Sequence, residues 1–134
     1  MLKKVDHIGI AVNSLEPIKQ FYREMFGLEP VFEEEVPEQQ VRVVGFQIGE
    51  TRLEYLEPTA EDSPVARFLQ KRGEGIHHIA LSVDHIQHVL ELLKSHGIQL
   101  INERARMGAE GKKIAFIHPK SMHGVLVELS EESL

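Results

Sequence analysis

Polar and apolar residues alternate along Val5–Val12, V-D-H-I-G-I-A-V, so a strand is expected there. Ile8, Ile10 and Val12 share one face, and His7, Gly9 and Ala11 share the other. Asn13 and Ser14 then offer a helix cap, with Glu16 near the helix start. Leu15, Ile18, Phe21, Tyr22 and Met25 recur at helical spacing until Gly27 ends the run. Three strand-like stretches follow at about 29–34, 40–48 and 51–56, the last two joined by a hairpin turn at Gly49-Glu50. The acidic run Glu33–Glu35 with Val36-Pro37 reads as an exposed loop or solvated edge.

Residues 58–74 carry turn formers around one short helical run, Val65–Lys71, and read as a connector. The pattern then restarts. Ile76–Val83, I-H-H-I-A-L-S-V, overlays the first strand; Asp84 caps a second predicted helix, Ile86–Ser95, which Gly97 ends. Strand-like runs follow at about 99–102, 113–118 and 124–129, with turns at 108–111 and 119–124. The chain therefore reads as one domain over 1–134, an α+β fold of two tandem βαβββ modules at about 4–57 and 75–131. A lone sheet of this kind leaves one face open to water, so the two modules are expected to pair around a cavity.

The repeat picks out the candidate chemistry. His7 and His78 are equivalent positions on the first strand of each module, 71 positions apart (7 to 78). Glu54 and Glu128 are equivalent on the last strand, 74 positions apart (54 to 128). A single strand histidine is most often structural, and a single strand glutamate most often faces solvent; two such pairs at repeat-equivalent positions call for a common cause. Two imidazoles and two carboxylates suit Zn, Co, Mn, Ni or Fe(II) better than Mg. Strand parity agrees, because small residues share the histidine face: Gly9 and Ala11 in one module, Ala80 and Ser82 in the other. Burying Glu128 between Val127 and Leu129 without a partner costs several kcal/mol, which a metal or proton offsets. His77 has the opposite parity to His78 and is not expected to share the site. His85, His88, His96 and His123 lack repeat partners and read as surface or supporting residues.

Composition narrows the classes. The chain has 134 residues and no cysteine, so disulfides, thiolate ligands and a thiol nucleophile are excluded. Its net charge of −6, with no Trp and two Tyr, argues against a nucleic-acid partner. The apolar run at the N-terminus is too short for a signal peptide, and no stretch approaches the ~18 apolar residues of a membrane span. The expectation is a cytoplasmic protein.

D-H-I-G-I-A-V, H-H-I-A-L-S-V and the paired Glu54 and Glu128 resemble the vicinal oxygen chelate superfamily, which includes glyoxalase I, extradiol dioxygenases and fosfomycin-resistance proteins. Within it the methylmalonyl-CoA epimerases are most similar, through V-P-E-Q at Val36–Gln39, G-I-H-H-I-A at Gly75–Ala80 and H-P-K-S-M-H-G-V-L-V-E-L at His118–Leu129. The resemblance implies a divalent metal held by His7, His78 and Glu128 with Glu54 as fourth ligand or base. It implies an acyl-CoA thioester substrate, a homodimer, and epimerisation at C2 through a metal-stabilised enolate with Glu128 and Glu54 as proton carriers. Some relatives carry a further glutamate on the second strand, where this chain has Val43. Arg104, Arg106, Lys112, Lys113 and Lys120 cluster around the 108–111 loop and read equally as a basic rim for the CoA phosphates or as a solvated basic edge. A glyoxalase I-like lactoylglutathione lyase and a non-catalytic binding or resistance protein are the alternatives on the same fold.

Overall fold

The computed structural model describes residues 1–132. Its elements are β1 (Leu2–Ala11), α1 (Glu16–Phe26), β2 (Phe32–Val36), β3 (Val41–Ile48), β4 (Thr51–Pro58), α2 (Pro64–Arg72), β5 (Gly75–Val83), α3 (Ile86–Ser95), β6 (Arg106–Met107), β7 (Lys113–Ile117) and β8 (Val127–Glu131). The order strand, helix, three strands thus occurs twice, and α2 lies in the connector. No helix among the described residues is long and apolar enough to cross a membrane.

The chain forms two compact units. One is Ile8–His77; the other is Met1–His7 with His78–Leu134. β1 and β5 each pass from one unit into the other.

In the Ile8–His77 unit the strand order is β2-β3-β4-β1. β2 and β4 flank β3 antiparallel, with Phe32 opposite Gly45 and Gly45 opposite Glu54. The acidic run 33–35 forms most of the edge strand β2, whose glutamates pair with Lys19 and Arg42. The core gathers Val12, Leu15, Val44 and Phe46, with Tyr22 stacked on Phe46 at 4.2 Å. Asn13 and Ser14 do not cap α1. The N-cap position is Leu15, and its backbone N–H donates to Glu57 Oε1 at 2.8 Å. The carboxylate comes from the end of β4 and meets the positive end of the helix. Gly27 ends α1 in the left-handed region, φ 61°, as its position in the pattern requires.

In the other unit the order is β1-β5-β8-β7-β6. β5 runs parallel to β8, and β7 antiparallel to β8. Val83, Ile86, Val89 and Leu90 pack against Ala115, Ile117, Val127 and Leu129. Asp84 does not cap α3; it sits 3.9 Å from Lys3 Nζ and from the N-terminal amine. The Ile86 N–H donates instead to Glu131 Oε2 at 3.0 Å. Leu15 and Ile86 are 71 positions apart (15 to 86), and Glu57 and Glu131 are 74 apart (57 to 131), the offsets of the histidine and glutamate pairs. The repeat therefore extends to how each module fastens its helix.

Two strand expectations differ from the structure. Residues 99–102 make only one bridge, Leu100 to Ile117, because the Asn102 side-chain oxygen takes the Phe116 N–H and stops the ladder. β8 starts at Val127, not at 124, because the preceding turn continues through the Val125 N–H, which donates to the Met122 carbonyl.

Candidate metal centre

β8 carries V-E-L-S-E in strand alternation. Val127 and Leu129 point into the core with α3, so Glu128 and Ser130 must occupy the opposite face. The parallel register sets Glu128 beside Ala80 and Ser130 beside Ser82 on β5. His78, two residues before Ala80, shares that face. The neighbouring part of β1 supplies His7.

The result is a buried triad. His7 Nε2 and His78 Nε2 are 3.1 Å apart. Glu128 Oε1 lies 3.2 Å from His78 Nε2, and Oε2 lies 3.7 Å from His7 Nε2. Each of the three residues is 5% exposed. One ligand atom from each falls within 4.8 Å of the others. The two rings meet edge to face at 5.2 Å, and Phe116 stands edge-on against His78 at 5.6 Å as an apolar wall.

The electrostatics call for positive charge at this point. Burial opposes ionisation of Glu128, but the contacts with His7 and His78 outweigh it and hold the carboxyl at about 2. The two facing Nε2 atoms at 3.1 Å share at most one proton between them. A shared proton satisfies one pair; a cation satisfies both rings and the carboxylate together. Two nitrogens and a carboxylate oxygen suit a borderline divalent ion such as Zn, Co, Mn or Ni. The donor set fits a divalent metal.

Glu54 lies in the other unit, buried on β4. Arg52 Nε donates to its Oε2 at 3.1 Å, and the Arg52 guanidinium stands over the Phe32 ring at 5.6 Å. Gly45, opposite Glu54, has no side chain because the Phe32 ring occupies that space. Val43 is buried at 2% exposure. His77 packs edge-on against Phe68 at 5.1 Å, and His85, His88, His96 and His123 are exposed.

Two residues around the triad were not picked out by the sequence pattern. Asp6 is 2% exposed, and its Oδ2 lies 2.8 Å from His7 Nδ1. Lys112, grouped above with the basic rim, turns inward to within 3.5 Å of Asp6 Oδ1, whereas Arg104, Arg106, Lys113 and Lys120 are exposed. The adjacency Asp6-His7 was a usable signal, because ligating histidines commonly give their second nitrogen to a carboxylate. Lys112 had none, because its approach depends on the turn before β7.

Comparison with known proteins gives concordant matches. The family described as Glyoxalase/Bleomycin resistance protein/Dioxygenase superfamily matches residues 6–116. An uncharacterized Bacillus subtilis protein is 47% identical over 130 residues, spanning 97% of this chain and 93% of that one. The mitochondrial methylmalonyl-CoA epimerase of Homo sapiens is 40% identical over 131 residues, spanning 97% of this chain and 74% of that protein. A Streptomyces coelicolor methylmalonyl-CoA epimerase variant, solved with 2-nitronate-propionyl-CoA, superposes with a TM-score of 0.94 at 38% identity, covering 99% of this chain and 96% of that one.

Proposed function

The chain belongs to the glyoxalase/bleomycin resistance protein/dioxygenase superfamily, and on that premise we propose that it interconverts the 2R and 2S forms of methylmalonyl-CoA with a divalent metal held by His7, His78 and Glu128. The observation that carries the proposal is the buried His7–His78–Glu128 triad in a chain similar over nearly its whole length to methylmalonyl-CoA epimerases.

The C2 hydrogen of the substrate lies between a thioester and a carboxylate, both of which accept charge when it leaves. A side-chain carboxylate alone is too weak a base to remove it quickly. When bound, a divalent cation supplies Lewis-acid stabilisation of the negative charge on the substrate oxygens. The protein's residues do the rest. His7 and His78 present nitrogen donors and fix the place of the positive charge. Glu128 is ionised at neutral pH, and its carboxylate oxygen is the proposed proton acceptor. Phe116 keeps water away from His78, which strengthens every charge interaction there.

Inversion needs a second proton carrier. Glu54 is proposed for it, and as fourth ligand, through its repeat equivalence to Glu128; Val43, on β3, offers no carboxylate. Arg52 Nε donates to Glu54 Oε2 and places positive charge beside it. A homodimer is proposed on the same resemblance, and the exposed apolar residues Phe21, Met25 and Phe26 on α1 offer a surface that association would cover.

Glu128→Gln tests the proton-carrying role. In D2O, C2 exchange should vanish in variant protein brought to full metal loading with excess ion, the content measured by elemental analysis of the same sample. Full exchange activity in a metal-replete Glu128→Gln protein contradicts the assignment.

A further inference from the structure

Asp6 and Lys112 are not needed to state the proposed chemistry, yet they form a continuous charged chain into it. Asp6 is among the most deeply buried side chains, at 2% exposure. An aspartate so placed is costly unless both its oxygens are engaged. Here both are. Oδ2 lies 2.8 Å from His7 Nδ1. Oδ1 accepts from Ser82 Oγ at 3.3 Å and lies 3.5 Å from Lys112 Nζ. Lys112 is itself only 17% exposed, so most of its side chain is covered where it reaches Asp6.

The geometry points to Asp6 as the positioning residue for His7, and to Lys112 as the group that holds Asp6 in place. An ionised carboxylate accepts only, so the Asp6 contact fixes the proton of a neutral His7 ring on Nδ1. The Nε2 lone pair then points toward His78 Nε2 and Glu128, where a ligand is required. The same contact fixes the ring plane and raises the ring's basicity as a ligand. The repeat is broken at this point: the position equivalent to Asp6 is His77, which packs against Phe68. The chain therefore anchors His7 by a device that the second module does not copy. Lys112 comes from the turn just before β7, so the order of that turn is tied to the orientation of His7.

This inference rests on the metal reading above, and its test separates the two. Long-range 1H–15N correlation spectra of the metal-free full chain report the His7 tautomer. Calorimetric titration with Co2+ reports affinity. The wild-type protein should hold His7 as the Nδ1–H form. Asp6→Ala should shift His7 toward Nε2–H and weaken Co2+ binding about 10–100-fold. Asp6→Asn, which keeps an acceptor without the charge, should retain the tautomer and lose less affinity. Lys112→Met, which leaves Asp6 in place, should weaken Co2+ binding in the same direction by a few-fold. An Asp6→Ala protein that keeps the Nδ1–H tautomer and wild-type Co2+ affinity overturns the inference. If Asp6→Ala does not fold, unchanged affinity in both Asp6→Asn and Lys112→Met overturns it equally. A wild-type chain that takes up no Co2+ while its His7 tautomer still depends on Asp6 contradicts the metal reading and leaves the positioning role supported.

Discussion

His7 Nε2 and His78 Nε2 face each other at 3.1 Å across 71 positions of chain. Nothing local in either strand enforces this. It follows from two modules of one pattern placing equivalent first-strand residues on the same kind of face. If a divalent ion joins them, removing either ring should remove most of its binding. His7→Ala and His78→Ala are each expected to weaken Co2+ or Zn2+ binding by more than roughly 100-fold, since losing a ligand costs more than losing an outer partner. Titration of the chelated, metal-free proteins checks this. Wild-type affinity in either variant would remove that histidine from the site.

The caps make a second prediction. Glu57 accepts from the Leu15 N–H, and Glu131 from the Ile86 N–H. Each satisfies a helix donor that has no partner inside the helix, and each puts negative charge at the positive end. Glu57→Ala and Glu131→Ala should each lower the unfolding free energy by about 1 kcal/mol. Denaturant titration of the metal-free protein measures it. By contrast, Asn13→Ala should be near neutral, because its side chain does not cap α1.

Much of the fold was legible in the sequence because its signals are local and periodic. The strand alternation of V-D-H-I-G-I-A-V and I-H-H-I-A-L-S-V and the apolar spacing of α3 fixed element types and the two-module order. The caps were misread for a physical reason. Asn13, Ser14 and Asp84 sit at the right chain positions, but the carboxylates that reach the helix ends come from strand termini tens of residues away. Asp6 shows the same limit at the site. Its adjacency to His7 is visible, whereas its burial and its contacts with Ser82 and Lys112 depend on tertiary packing.

Gly45 offers a packing test. A Cβ at this position would overlap the Phe32 ring, which also supports the Arg52 guanidinium beside Glu54. Gly45→Ala should destabilise the chain by about 1–3 kcal/mol, the usual cost of overpacking. Gly45→Ala combined with Phe32→Ala should recover part of that loss if the ring is the cause. Unchanged stability in the single variant would contradict the packing described.

Acid should act on the metal-free protein through Glu128. Its carboxyl, at about 2 in the folded chain, lies below the ~4.3 of an unfolded glutamate. A depressed carboxyl stabilises the fold above the unfolded value, and that contribution is lost as pH falls toward the folded one. Between about pH 4.5 and 2 the wild-type protein should therefore lose more stability than Glu128→Gln does. Parallel acid titrations of the two proteins, followed by circular dichroism, check the sign; a steeper loss in Glu128→Gln would contradict it.

The proposed reaction is movement of the C2 proton of methylmalonyl-CoA, with His7, His78 and Glu128 holding the ion that assists it. Proton NMR of one pure epimer in D2O, with the protein fully loaded with Co2+ and again after chelation, tests it most directly. The expected result is loss of the C2–H signal with appearance of the other epimer in the loaded sample, and loss of that activity on chelation with recovery when Co2+ is restored. An intact C2–H signal with the metal-loaded protein, at concentrations where its C2–H would exchange many times over, would contradict the account.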